Sequence, residues 1–299
     1  MGVKDEVPYA DAHCRDVAER ADEEGFAPFM HLGEFVEEAS RAPPIGAASF
    51  ERAQRALTDR VIALVALPDR ARVLEVGCGF GGNLAVLDEA GRAETLVGLD
   101  IGPRQLELAR RVVRPRSGAR IEWVLADACA LPFPDACFDT VLAIECAFHF
   151  SSRLAFAAEA RRVLRPGGRL VLTDLVGAGQ PVGGTGGAGG AGSAAELIAV
   201  EELAAILRAD LGPCPDLTGP GGGWAAIAAA AGLRPLSRED ITAAVLPSFD
   251  HILQGKPRDP RAHRDPNDRG AAALLAALTC GLLRAERWAF ERPGLNEGG

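Results

Sequence analysis

Short apolar runs rich in Val, Leu and Ile alternate along the chain with longer segments whose apolar positions recur every three or four residues. The runs at Val73, Leu74 and Val76, at 96–100, at 121–126, at 138–144 and at 169–175 read as strands. The segments 83–90, 103–113 and 153–164 between them read as helices, the second opened by Pro103 and the third stopped by Arg165-Pro166-Gly167-Gly168. Strands that alternate with helices predict an α/β fold around a mostly parallel sheet. This core spans 71–176.

The flanks have other patterns. In 1–70, Asp11 to Glu24 reads as a charged helix. Gly25, Pro28 and Gly33 interrupt the next stretch, and Phe50, Ala53, Leu57, Val61, Leu64 and Val65 recur at helical spacing, so the region predicts a helical cover. Gly177 to Gly192 holds nine glycines in sixteen residues, a linker that serves either as a hinge or as an unselected insertion. Ser193 to Ala209 follows as a helix, with Ser193 and Glu196 at capping-box spacing, and 177–232 reads as linker and helical lid. From 233 to 299 the pattern predicts a strand ending near Thr242, a helix over 246–253, a charged loop over 254–269, a helix over 271–283 and an antiparallel last strand over 284–292.

Composition narrows the function. With 299 residues, 48% hydrophobic and 24% charged, the chain can bury a full core in one large domain with additions. A net charge of -9 and the lack of a basic stripe exclude a dedicated nucleic-acid binder and favour small neutral or cationic ligands. No apolar run reaches the about 18 residues of a membrane span, and the acidic, polar Met1 to Ala10 is unlike a signal peptide, so a cytoplasmic protein is expected. Seven scattered cysteines and five unclustered histidines give no disulfide or metal spacing, and His251 and His263 read as surface residues.

The candidate chemistry centres on Glu75-Val-Gly77-Cys-Gly79-Phe-Gly81, a strand end running into a glycine turn. The glycines alone suit a dinucleotide site equally well. Glu75 separates the readings, since a carboxylate here repels a pyrophosphate and suits an ammonium. Asp100 ends the second strand, 21 residues after Gly79, where a carboxylate can accept from both hydroxyls of a ribose.

Together with Leu131-Pro-Phe-Pro-Asp135-Ala-Cys-Phe-Asp139, these elements resemble the class I S-adenosylmethionine (SAM)-dependent methyltransferases. The resemblance implies a Rossmann-like, seven-stranded, mostly parallel sheet with N-terminal helices and an inserted helical lid, and SAM as cofactor. It implies cofactor contacts from Glu75, Gly77, Gly79, Gly81, Asn83, Asp100, Ile101, Asp127, Ala128 and Glu145. His31-Leu-Gly33-Glu-Phe35 resembles a His-x-Gly-x-aromatic element that helps cover the cofactor; a plain surface loop is the other reading.

The fourth strand ends in Glu145-Cys-Ala-Phe-His149, where strand ends line the ligand crevice. His149 is the candidate base for a hydroxyl proton, the competing reading being a hydrogen-bonded core histidine. Asp174, near the end of the neighbouring fifth strand, is expected to face it. The stretch from Glu145 to Asp174 resembles O-methyltransferases of sugars and macrolide antibiotics, in which this His and Asp form the base pair. The expected acceptor is a hydroxyl of a small molecule, with carbon methylation of a lipid, quinone or prenyl acceptor as the alternative; oligomeric state is left open.

Overall fold

The computed structural model describes residues 14, 17–20, 28–36, 44–65, 67–178, 200–211 and 223–294. Seven strands form one sheet in the order β3-β2-β1-β4-β5-β7-β6. They are β1 (Ala71–Val76), β2 (Ala93–Asp100), β3 (Arg120–Leu125), β4 (Phe138–Ile144), β5 (Leu164–Gly177), β6 (Arg234–Asp240) and β7 (Leu283–Glu291). The first five are parallel, and β7 runs antiparallel to both β5 and β6. The order reverses between β1 and β4, which opens a crevice at their carboxyl ends.

Strand alternation sorts the core into two layers. Val73, Leu96, Leu142, Val171 and Ala289 pack against α1 (Ala47–Ala63), α2 (Gly82–Glu89), α5 (Val200–Asp210) and α9 (Pro266–Thr279). Leu74, Val97, Val141, Leu172 and Phe290 pack on the other face against α4 (Arg153–Val163) and α6 (Trp224–Ala231). Further helices are α3 (Pro103–Val112), between β2 and β3, and the short α7 (Thr242–Val245) and α8 (Ser248–Ile252).

Several boundaries differ from the sequence pattern. The expected helix over 246–253 is limited to Ser248–Ile252, after Pro247, and a separate short helix, Thr242–Val245, precedes it. The last helix starts at Pro266 because Asp265 accepts hydrogen bonds from the Asn267 and Asp268 amides, and Leu283 belongs to β7. Arg165 to Gly168 stays within β5, where Gly167 N–H donates to Arg292 O and Arg292 N–H to Gly168 O. Residues 14 and 17–20 of the expected first helix are helical; the glycine-rich stretch and the Ser193 cap lie outside the described residues. His251 is half-buried, stacked on Phe50 at 4.7 Å. Among the described residues no helix is long and apolar enough to cross a membrane.

Candidate active site

The crevice holds a cavity of about 440 Å³, within the usual size of small-ligand sites. Its floor is the turn between β1 and α2. Gly77 and Gly79 have φ of +61° and +51°, and a Cβ on Gly79 would stand 2.7 Å from Met30 Sδ. The backbone path therefore needs glycine here both for its angles and for the close approach of the segment 28–36, which crosses the cavity with Phe29, Met30 and His31 in its wall.

That segment is anchored along its length. The Gly33 amide donates to Ser248 Oγ at 2.9 Å, the Phe35 amide donates to Ala244 O, and Glu34 pairs with the buried Arg287 of β7. His31 lies on α1, where Gln54 Nε2 donates to its carbonyl at 2.6 Å.

Asp100 ends β2 with its oxygens accepting from the Gly79 and Gly102 amides at 2.9 and 2.8 Å, so its carboxylate is fixed at the cavity edge. Asp127 accepts from the Cys129 amide at 2.8 Å. Ile101 and Ala128 line the same wall. Glu145 follows β4 in a left-handed conformation, φ +47°, rare for a non-glycine residue. Its Oε2 accepts from the Leu32 amide at 2.8 Å, while the buried Oε1 has no partner. Burial raises its pKa to about 7.

His149 stands in a short turn (Ala147–His149) and lines the cavity. Its Nδ1 is 2.7 Å from the Leu211 carbonyl, which fixes the tautomer with hydrogen on Nδ1 and the lone pair on Nε2. Burial lowers its pKa to about 4, so the ring is neutral near pH 7.

Three residues expected at the site do not line the cavity. Gly81, φ +80°, caps α2 and turns toward Trp123. Glu75 is buried one layer behind the wall, on the α1 and α2 face, where its Oε1 accepts from Asn83 Nδ2 at 2.7 Å and Asn83 takes the place in the wall. Asp174 does not meet His149. Alternation puts its side chain on the same face as Leu172 and Val176, toward α4 and α6, and Oδ2 accepts from Arg153 Nε at 2.7 Å and Trp224 Nε1 at 2.8 Å. The Leu211 carbonyl that holds His149 follows α5, on the opposite face.

Other groups in and around the wall carried no sequence signal. Gln105 opens into the cavity from α3 with a buried, unpartnered Oε1, and Phe29 and Met30 come from outside any motif. Thr58 is the clearest miss: a threonine on the buried face of α1, one turn after Gln54, which donates to Asn83 Oδ1 at 2.6 Å.

Residues 74–172 match the model of a family described as a methyltransferase domain. The chain is 32% identical over 207 residues to the 27-O-demethylrifamycin SV methyltransferase of Amycolatopsis mediterranei, covering 68% of each chain. It is 43% identical over 103 residues to the fatty-acid O-methyltransferase of Mycolicibacterium smegmatis, over 34% of this chain and 36% of that one. Geranyl diphosphate C-methyltransferase from Streptomyces coelicolor A3(2), solved with S-adenosyl-L-homocysteine, superposes with a TM-score of 0.70 at 15% identity over 98% of this chain and all of that one. The fold is thus shared broadly, and the sequence match to the rifamycin enzyme runs through two thirds of both chains. A glycine-cradled cavity edged by Asp100, with uncompensated acids in and behind its wall, fits a cofactor that carries a ribose and cationic groups but no phosphate, and the chain belongs to the SAM-dependent methyltransferases of small-molecule acceptors.

Proposed function

We propose that the chain methylates a hydroxyl of a small natural-product or sugar-like acceptor, with His149 as the base. The observation that carries this reading is the imidazole in the cavity wall, held by the Leu211 carbonyl in the tautomer that can accept a proton at Nε2. Support comes also from the match to an enzyme named for O-methylation of a rifamycin.

When bound, SAM supplies a methyl group activated by its sulfonium. Gly77 and Gly79 would let the backbone lie close to the bound cofactor, Asp100 would accept from its ribose, and Asp127 with Ala128 would border its adenine. The segment 28–36 excludes water from above. His149 takes the hydroxyl proton as the oxygen becomes acidic in the transition state, a contribution of about 10²- to 10⁴-fold. A ring with pKa about 4 is in its base form across the physiological range.

Two outcomes follow. His149→Ala should lower kcat about 100-fold or more while S-adenosylhomocysteine binds with unchanged affinity in calorimetry. In wild type, kcat should stay level as pH falls through 6.5, where an ordinary histidine would lose its base form, and drop only toward pH 4. Full turnover in the variant would remove His149 as the base, and methyl transfer to carbon of a prenyl or quinone acceptor with none to a hydroxyl would replace the acceptor.

A further inference from the structure

Behind the cavity wall, buried side chains from β1, α1, α2 and the segment 28–36 meet in one array. Asn83 Nδ2 is 2.7 Å from Glu75 Oε1, and Asn83 Oδ1 is 2.6 Å from Thr58 Oγ1 and 3.1 Å from His31 Nε2. The other ring nitrogen of His31, Nδ1, is 2.8 Å from the Leu32 carbonyl and must carry a hydrogen, since a carbonyl only accepts.

The proton count follows from this geometry. With Asn83 Nδ2 toward Glu75, Nε2 faces both the amide oxygen and Thr58 Oγ1, the latter at 3.2 Å; the single Thr58 hydroxyl hydrogen goes to Asn83 Oδ1 at the shorter 2.6 Å, and Nε2 then needs a hydrogen of its own: an imidazolium beside an ionised carboxylate. With the amide turned over, Nδ2 donates to a neutral ring and the amide oxygen faces Glu75, which must then carry the proton. In both arrangements the array is neutral and holds one proton more than an ionised Glu75 with a neutral His31. Taking that proton away leaves two acceptors face to face in a buried place, which is costly.

We propose that the ammonium group of a cofactor entering the cavity replaces this proton, so that binding releases one proton from the Glu75–Asn83–His31 array. Asn83 and His31 line the cavity, and Glu75 Oε2 is buried without a partner. The groups that surround the array hold no cation. Asp100 approaches from β2, the thiols of Cys78 and Cys146 from the turns after β1 and β4, Glu145 through the Leu32 amide, and Gln54 and Thr58 from α1. Among the described residues no arginine or lysine pairs with Glu75. A proton or a ligand is therefore the positive charge available to it. Burial and Asp100 raise Glu75 to about 8 and burial lowers His31, which places the proton on Glu75 in the free protein.

The inference depends on the cofactor and not on the acceptor. Its test is calorimetric titration of the full chain with S-adenosylhomocysteine, which carries the ammonium, at pH 7 in buffers of different ionisation enthalpy. The expected result is close to one proton released per ligand bound, with affinity rising nearly tenfold per pH unit between about 6 and 7.5. Glu75→Gln should bind without release and with an affinity independent of pH. A release near zero in wild type, or one undiminished in Glu75→Gln, overturns the proposal. Should Glu75→Gln fail to fold, Glu145→Gln decides: retained release supports Glu75 as the source, and lost release assigns the proton to Glu145 and overturns it.

Discussion

Buried carboxylates occur at two kinds of place in this molecule, and what stands opposite them differs. Asp174 meets Arg153 with side chains 0% and 5% exposed, and Glu34 meets Arg287 with both 3% exposed. Glu75 is equally withdrawn from water and Glu145 is half-buried; each keeps one oxygen without a partner, as Asp174 does, but neither pairs with a cation among the described residues. Arg153 joins the start of α4 to the end of β5, also donating to the Leu175 carbonyl at 2.8 Å, and so braces the turn that carries Glu145 and His149. Arg287 ties the segment 28–36 to β7. The paired acids hold backbone in place; the unpaired ones are pushed toward their protonated forms and become fully charged only when a ligand brings positive charge.

Removing one partner should separate the two kinds most strongly. Arg153→Met leaves Asp174 buried without its cation and should cost about 3–5 kcal/mol of unfolding free energy in urea titrations. Glu145→Gln keeps an acceptor for the Leu32 amide and removes an acid that meets no cation, and should leave stability unchanged or raised. If Arg153→Met lost less than about 1 kcal/mol, the contrast drawn between the two sets of acids would fail.

The next effect is the dependence of stability on pH. Glu75 and Glu145 are raised from 4.5 to about 8 and about 7, so their contribution is fully present below 4.5 and is lost as pH rises through 7 and 8. His31 and His149 are lowered from 6.5, His149 to about 4, so theirs is present above 6.5 and lost as pH falls. Below 6.5 the two slopes oppose each other, and above it only the carboxyls remain. The melting temperature of the free protein should therefore fall from pH 6.5 to 9, and Glu75→Gln and Glu145→Gln should each flatten the fall. An alkaline limb as steep in both variants as in wild type would place the responsible groups elsewhere.

This division was only half legible in the sequence. The glycine turn, Asp100, Asp127 and His149 are each read from a few adjacent residues, and the sheet follows from local alternation with short connections. The partners of the acids are not local. Glu34 and Arg287 are 253 positions apart, His31 and Asn83 52 apart, and Gly33 meets Ser248 across 215. Asp174 was misplaced for another reason. Its position near a strand end is correct, but its face depends on parity relative to Leu172 and Val176, and the segment that holds His149 packs on the other side. Motif spacing carries the order of strand ends and says nothing of the face.

The smallest effect sharpens the account of the cradle. Gly79 and Gly91 share a left-handed backbone, φ +51° and +67°, but differ in surroundings. A Cβ on Gly79 meets Met30 Sδ at 2.7 Å, whereas nothing lies within 4 Å of one on Gly91. Alanine at either position should cost about 1–2 kcal/mol of stability through the backbone alone. Only Gly79→Ala should also weaken S-adenosylhomocysteine binding, because the Met30 side chain must retreat from the cavity wall. Gly91→Ala thus measures the strain, and the excess in Gly79→Ala measures the close approach. Equal ligand affinity in the two variants would mean that the segment yields without loss, and that the cavity tolerates a wider roof than the contact with Met30 suggests.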